Sequence, residues 1–326
     1  MTTMDQRPQP SSLRVHQFAG VKPGPKLLVL GAVHGNEVCG TLAMGRLIGE
    51  LDRGAIAIER GVLTLVPIVN PLAYQKGERQ GDRNLNRNLG PKAEPADFED
   101  HVANVLCPLL AAHDVLLDLH SFHTAGQPFA MLGPANNTGE LEPFQHAQAE
   151  ARLVAHLGPG RVVDGWMEAY ARGVKRRQES GQAYAPGLLD ARYGVGTSEF
   201  MRAHGGYGVT LECGQHEDPE APQVAYRAIR QTLALLRLTN LPLEPAQTAF
   251  QKLTLVDVID REHADDTFAR HWSSFDPVLA GQAIGKRRDG RLITAPADGY
   301  IVFPNPKALP GNEWFYFAQP SVRDLA

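Results

Sequence analysis

GAVHGNE, residues 31–37, follows the apolar run Lys26–Val33 and sets His34 and Glu37 three positions apart. The run reads as a buried strand. Val38, Leu42, Leu47, Ile48 and Leu51 then recur at near-helical spacing, so the strand hands over to a helix at this stretch. A histidine and a glutamate at such a junction supply one nitrogen and one oxygen donor, which is half of a zinc site. DLHS, Asp118–Ser121, again follows an apolar run, Val115–Leu119, and its His120 offers a third ligand from a neighbouring strand. Two nitrogens and one carboxylate leave a tetrahedral zinc with one open position for water.

Outward from these junctions the same rhythm repeats. Val62–Asn70 reads as a second strand closed by Pro71. Phe98, Val102, Val105, Leu106, Leu109 and Leu110 form one helical stripe ahead of the short run Val115–Leu119. Pro128–Leu132, Arg161–Asp164 and Tyr207–Cys213 are further strand candidates, and a long helical pattern covers Ala221–Leu238. This alternation predicts an α/β fold: a mixed, mostly parallel sheet with helices on both faces. The stretch NLPLEPA, Asn240–Ala246, reads as a linker. Beyond it, Leu253–Ile259, Gly290–Thr294, Gly299–Phe303 and Trp314–Ala318 are short strand candidates punctuated by DG, PNP and PGN turns. The expected division is an α/β domain carrying the site over residues 1–240 and a small all-β domain over 241–326 that caps the cleft.

The composition limits the alternatives. The chain has 326 residues, 43% of them hydrophobic, enough for one large core or one core with a smaller appended domain. Its 32 basic and 36 acidic residues are interspersed, and the net charge is −4. No basic tract suits a phosphate backbone and no lysine-rich amphipathic face suits a membrane, so neither nucleic acid nor membrane is an expected partner. The N-terminal MTTMDQRPQPSS lacks the apolar core of a secretory signal, and a cytoplasmic protein is expected. Cys39, Cys107 and Cys213 are too few and too scattered for a disulfide framework and read as packed thiols. Cys213 stands beside Glu212, but a nucleophilic role would need a free activating histidine, and His120 is better used as a ligand.

In open α/β sheets, ligands collect beyond the carboxyl ends of the strands. His34 and Glu37 follow the first strand, Asn70 ends the second, His120 closes the strand in DLHS, and Glu212 ends YGVTLECG. Four runs thus aim polar groups at one edge. Between the second and third strands, GERQGDRNLNRNLG (77–90) packs Arg79, Arg83 and Arg87 among Asn84, Asn86 and Asn88. A guanidinium beside a carboxamide, as in Asn86–Arg87, is a good receptor for a carboxylate.

HGNE at 34–37, the run from Asn70 to Arg87 with NLNR, DLHS at 118–121 and LECG at 211–214 occur in an order that resembles the succinylglutamate desuccinylase/aspartoacylase family, a branch of the zinc carboxypeptidase-like fold. The resemblance spans about residues 26–215. It implies that His34, Glu37 and His120 match the zinc ligands, Glu212 the general base, and Arg79 the arginine that stabilises the oxyanion. It implies that Asn86 and Arg87 hold a substrate carboxylate, that Arg202 is a further carboxylate-binding arginine, and that Tyr300 in GYIVFPN is a tyrosine contributed by the C-terminal domain. Two positions depart from the family pattern. Asn84 stands where DLNR is frequent, which removes a negative charge near the presumed anion site, and Ser198 stands in place of a tyrosine.

The implied reaction is hydrolysis of a small anionic N-acyl amino acid by water activated on one zinc ion. A metallocarboxypeptidase acting on small peptides, or a non-catalytic zinc-binding protein, are the alternatives. His123 is assigned to a loop or a supporting position, His113, His146 and His156 to helical patterns, and His204 and His216 to structural positions flanking the Glu212 strand. Asp118 is expected on the opposite face of its strand from His120, with a supporting role only if the strand ends or twists there.

Overall fold

The computed structural model describes residues 8–180 and 186–325; residues 1–7 of the polar N-terminal stretch lie outside the described residues. The elements of the first half are β1 (His16–Ala19), β2 (Lys22–Gly31), α1 (Cys39–Asp52), β3 (Arg60–Val66), α2 (Pro71–Lys76), α3 (Phe98–Ala111), β4 (Val115–Phe122), β5 (Phe129–Met131), α4 (Ala147–Leu157) and β6 (Arg161–Asp164). They are followed by α5 (Trp166–Glu179), α6 (Thr197–Ala203), β7 (Tyr207–Gln215) and α7 (Ala221–Leu235). The remaining strands are β8 (Gln251–Asp260), β9 (Thr267–Phe268), β10 (Asp276–Val278), β11 (Ala283–Lys286), β12 (Leu292–Thr294), β13 (Gly299–Val302) and β14 (Glu313–Pro320).

One eleven-stranded sheet runs in the order β1-β3-β2-β4-β7-β5-β6-β8-β14-β13-β10. Its centre is parallel: β3, β2, β4 and β7 all point the same way. Strand β5 is antiparallel to β7, and the C-terminal part, from β8 through β14 and β13 to β10, is antiparallel throughout. Leu27, Leu28, Val29 and Leu30 of β2 are all fully buried, which is why the run is continuously apolar rather than alternating. Helices α1, α4 and α7 cover one face around Met44, Leu47 and Ile229, while α3 and α6 cover the other around Leu106, Leu110 and Met201. Among the described residues no helix is long and apolar enough to cross a membrane.

The expected mixed, mostly parallel sheet is observed, and so is a β-rich C-terminal segment. That segment joins the main sheet: β6 pairs in parallel with β8, so the hydrogen-bonded ladder crosses unbroken into residues 251–320. Strands β12, β11 and β9 form a second, three-stranded sheet. The expected second strand stops at Val66, and Asn70 instead caps the short helix α2. Its Oδ1 accepts from Ala73 N (3.1 Å), Pro71 starts the helix, and Gly77 ends it in the left-handed region. Helix α5, which the sequence pattern does not single out, buries Met167, Ala169, Tyr170, Gly173 and Val174, and its buried face ends in Arg177, forked onto Asp260 of β8.

The turn after β2 is folded back against α2. A Cβ at Gly35 would overlap the backbone of Ala73 and Tyr74, so only glycine fits between His34 and Glu37 at this approach. Gly35→Ala is therefore expected to lower the melting temperature, by the equivalent of about 1–3 kcal/mol of overpacking, in a thermal unfolding measurement. An unchanged midpoint would show that the turn yields without cost.

Candidate metal centre and substrate pocket

The parallel register is what assembles the site. Gly31 at the end of β2 lies opposite Leu119 of β4, and His120 of β4 lies opposite Glu212 of β7. His34 and Glu37, just past β2, therefore meet His120 and Glu212 at the carboxyl ends of three adjacent strands. Ligand atoms of His34, Glu37 and His120 lie within 4.8 Å of one another, and all three residues are buried. His34 Nδ1 is 2.9 Å from Glu37 Oε1, and His120 Nδ1 is 2.9 Å from Glu37 Oε2. Two nitrogens and a carboxylate converging in this way suit a divalent transition metal such as zinc.

The outer faces of both imidazoles are held. His34 Nε2 is 3.0 Å from Asn84 Oδ1, and Asp118 Oδ2 is 2.9 Å from His120 Nε2. Such outer contacts fix the tautomer and aim the inner nitrogen at the metal position. Two expectations are corrected here. Asp118 and His120 are two positions apart on β4, and residues with that spacing share a face, so Asp118 backs His120 without any twist of the strand. Asn84 backs His34 and accepts from Asn86 N (2.9 Å); its departure from the family pattern bears on a metal ligand rather than on the anion site.

Burial lowers the His34 pKa to about 4, with Arg79 adding to the effect, so its imidazole is neutral and ready to donate a lone pair. Burial also opposes charge on His120, but Asp118 and Glu37 outweigh it and hold the ring well above its usual value. A pair of carboxylates that favours a proton there equally favours a cation in its place. Glu212 is 6% exposed and its Oε2 has no partner among the described residues. Burial pushes its carboxyl up to about 8, with His120 opposing the shift and Glu37 supporting it. Arg79 Nη1 donates to Glu37 Oε1 at 2.7 Å, which sets its guanidinium at the edge of the same cluster.

A pocket opens from these groups. His34, Glu37, Arg79, Asn86, Arg87, His120, Ser198, Arg202 and Glu212 all line it. Arg87 is buried on the face of Trp166 (4.8 Å to the ring centre), and its Nε and Nη2 both donate to Glu313 Oε1 at 3.1 and 3.0 Å. Asn86 Oδ1 accepts from Thr197 N (2.9 Å), pinning the start of α6. Ser198 Oγ is 2.9 Å from Thr210 Oγ1 in the same wall.

Arg202 reaches the wall but is not free to take a carboxylate. Its five N–H groups go to Glu150 Oε1 and Oε2, Glu142, Glu199 and the Gly208 carbonyl. Tyr300 is outside the pocket lining, which corrects its assignment. Antiparallel pairing sets Tyr300 against Ala318 and, two pairs further along, Val302 against Tyr316, and Tyr316 is the tyrosine that lines the pocket. Its hydroxyl is buried without a hydrogen-bond partner among the described residues.

Among the remaining histidines, His123 lines the pocket in an edge contact with His216, whose Nδ1 is 2.8 Å from Ser121 Oγ. His113 is tied to Leu109 O and Thr64 Oγ1, and His204 stacks on Phe200. Cys213 is 1% exposed, and burial holds its thiol well above the usual range, so it is no nucleophile. Glu313, Tyr316, Trp166 and Glu199 are pocket residues that the sequence pattern does not single out. NEWFYF, Asn312–Phe317, carries two of them and is legible only as a strand candidate.

Comparison with known proteins gives a consistent result. The family described as succinylglutamate desuccinylase/aspartoacylase catalytic domain matches residues 23–238. A succinylglutamate desuccinylase from Burkholderia mallei is 27% identical over 311 residues, covering 92% of this chain and 81% of that protein. A probable aspartoacylase from Prochlorococcus marinus is 30% identical over 101 residues, 29% of this chain and 33% of that protein. Among solved structures, the product-bound ectoine utilization protein EutE (DoeB) from Ruegeria pomeroyi superposes with a TM-score of 0.68 at 18% identity, covering 94% of this chain and 88% of that one. A succinylglutamate desuccinylase/aspartoacylase from Rhodobacter sphaeroides gives 0.64 at 16% identity, covering 95% and 90%. At these identities the structural matches establish the shared fold.

The Arg202 cluster yields a prediction. Burial raises the Glu142 pKa to about 8 against the pull of Arg202, with Glu199 and Glu150 adding to the rise. A carboxyl raised in the folded state favours folding fully below its unfolded value near 4.5. That contribution is lost as the pH climbs through 8. Glu142→Gln keeps an acceptor for Arg202 and removes the titration. Its stability relative to wild type is expected to rise by on the order of 1 kcal/mol per pH unit between pH 5 and 8, read by denaturant unfolding. Parallel pH profiles for the two proteins would refute it.

Proposed function

Because the chain belongs to the succinylglutamate desuccinylase/aspartoacylase family, a family of deacylases, we propose that it hydrolyses the amide bond of a small N-acyl amino acid at a zinc ion held by His34, Glu37 and His120. The observation that carries this reading is the meeting of three ligand groups at 4.8 Å or less with Glu212 across the β4–β7 register from His120. A non-catalytic metal site would be expected to close with a fourth protein ligand. Instead, the group carries three donors and faces a pocket with a buried carboxyl and an arginine.

Zinc bound there would lower the pKa of water from ~16 towards ~7 and polarise the scissile carbonyl. The residues do the rest. Glu212, whose Oε2 is free of hydrogen bonds, takes the proton of the attacking water once a cation beside it favours the carboxylate over the acid, and passes it to the leaving amine. Arg79 donates to the oxyanion of the tetrahedral centre, a contact worth roughly 3–4 kcal/mol of barrier. Arg87 has two N–H groups left after Glu313 and the Asn86 carbonyl are served, and with Asn86 it receives the α-carboxylate of the anionic substrate. Trp166, Phe303 and Tyr316 exclude water and align the amide. Phe303, Glu313 and Tyr316 belong to the C-terminal segment 241–326, which acts as the cap of the cleft.

Chelation is expected to abolish hydrolysis, and one equivalent of zinc to restore it. Glu212→Gln is expected to lower kcat by roughly 10²–10⁴-fold with zinc content unchanged. Near-normal turnover in the metal-loaded variant would remove Glu212 from the proton transfer. Asn84→Asp adds a carboxylate behind His34 and is expected to tighten zinc binding by about tenfold in a chelator competition. Weaker binding would show that the neutral partner is required.

A further inference from the structure

The charges around the pocket specify the substrate more narrowly, and the inference from them rests on the deacylase reading above. Arg202 has every N–H engaged by the protein, and the bidentate contact with Glu150 alone matches its charge. Glu199 is therefore one of three carboxylates around a single guanidinium, and the least closely held of them. It lines the pocket, receives the Gly196 N–H on Oε2 (2.9 Å), and makes only a long contact with Arg202 on Oε1 (3.3 Å). It also neighbours the carboxylate receptor: a Cβ at Gly196 would contact both Asn86 Oδ1 and Glu199 Oε2. At Arg87, Glu313 occupies the side edge of the guanidinium, which leaves room for one substrate carboxylate and no more.

One further feature points to a bound ligand. The Tyr316 hydroxyl, in a residue 3% exposed, has no partner among the described residues and lines the same pocket. Phe122 and Phe303 add aromatic wall to the pocket, and the face of Trp166 already carries Arg87.

We propose that the amino acid released by this chain carries a cationic side-chain nitrogen, held by Glu199, while Arg87 and Asn86 receive its α-carboxylate. An N-acylated acidic amino acid would bring a second carboxylate to the wall that holds Glu199, where the neighbouring Arg202 has no N–H left to receive it. Like charges brought together in a pocket of this kind select strongly against the wrong substrate.

The test compares Nα-acetylornithine, Nα-acetylnorvaline and Nα-acetylglutamate, which have similar length and differ in charge, with the zinc-loaded full chain. The expected order of kcat/KM is ornithine, norvaline, glutamate, with about 30-fold or more between the first and the last. In Glu199→Gln the preference for ornithine over norvaline is expected to fall about tenfold. Hydrolysis with the glutamate derivative preferred would overturn the charge inference and leave the deacylase reading intact. If none of the three is hydrolysed, calorimetric binding of free ornithine and free glutamate decides the charge independently of the deacylase reading. Tighter ornithine binding that is weakened in Glu199→Gln supports the cation site, and equal or tighter glutamate binding overturns it. Neither wild-type measurement depends on a variant folding.

Discussion

One buried carboxylate, with no cationic partner among the described residues, organises the site. Glu99, in the first turn of α3, is fully buried and accepts four hydrogen bonds: Asn70 Nδ2 and Gly81 N on Oε1, and Asp82 N and Arg83 N on Oε2. A buried charge is costly unless all its acceptor capacity is used, so this arrangement is close to all-or-none. It stitches the cap of α2 to the loop that carries Arg79, Asn84, Asn86 and Arg87. Arg83 completes the stitch by donating to Asp97 and Asp100, the cap and first turn of α3. A loop of polar residues thereby becomes a rigid wall. Fixed positions for the Arg79 and Arg87 side chains at the pocket depend on that stitch.

The sheet supplies the other half of the geometry. Parallel pairing places the last residues of β2, β4 and β7 side by side, so ligands and base arrive from three strands without any long-range loop having to find its place. The outer partners of the imidazoles then come one from each half. Asn84 belongs to the stitched loop, and Asp118 belongs to β4 and is itself bonded to Thr197 Oγ1 at the start of α6. Movement of the loop or of α6 would thus be felt directly at His34 or His120. The two histidines have unequal backing, one neutral amide and one carboxylate, which makes His120 the stronger donor of the pair.

The parts of this arrangement legible in the sequence are those governed by local rules. GAVHGNE, DLHS and LECG each end an apolar run, and ends of parallel strands converge by construction, so the sequence alone is enough to bring His34, Glu37, His120 and Glu212 together. Contacts across many residues are not legible in that way. Arg202 reads as a receptor for a substrate carboxylate, but whether a guanidinium is free depends on Glu142 and Glu150, 60 and 52 residues away. Tyr300 and Tyr316 sit on the same face of adjacent strands, and only the register, with the Tyr316 pair two positions further along, separates them. The buried face of helix α5 ends in Arg177, which pairs with Asp260, and an arginine reads as solvent-facing until its partner is located. Asp118 is a different case, since strand alternation by itself places it on the His120 side.

The two pocket arginines show why residue type alone underdetermines a binding site. A guanidinium has five donors, and its availability to a ligand is what remains after the protein has been served. Arg87, held on one edge by Glu313 and stacked on Trp166, is oriented with donors to spare, so its partner acts as a brace. Arg202 has none to spare, and its role passes to the carboxylates around it: Glu150 cancels its charge, and Glu199 is left to face the pocket. Burial makes the pairing obligatory in both cases, because an unpaired charge in such a wall would cost more than the interactions it offers. The same physics that stabilises the pocket therefore sets the sign of the charge that its wall presents.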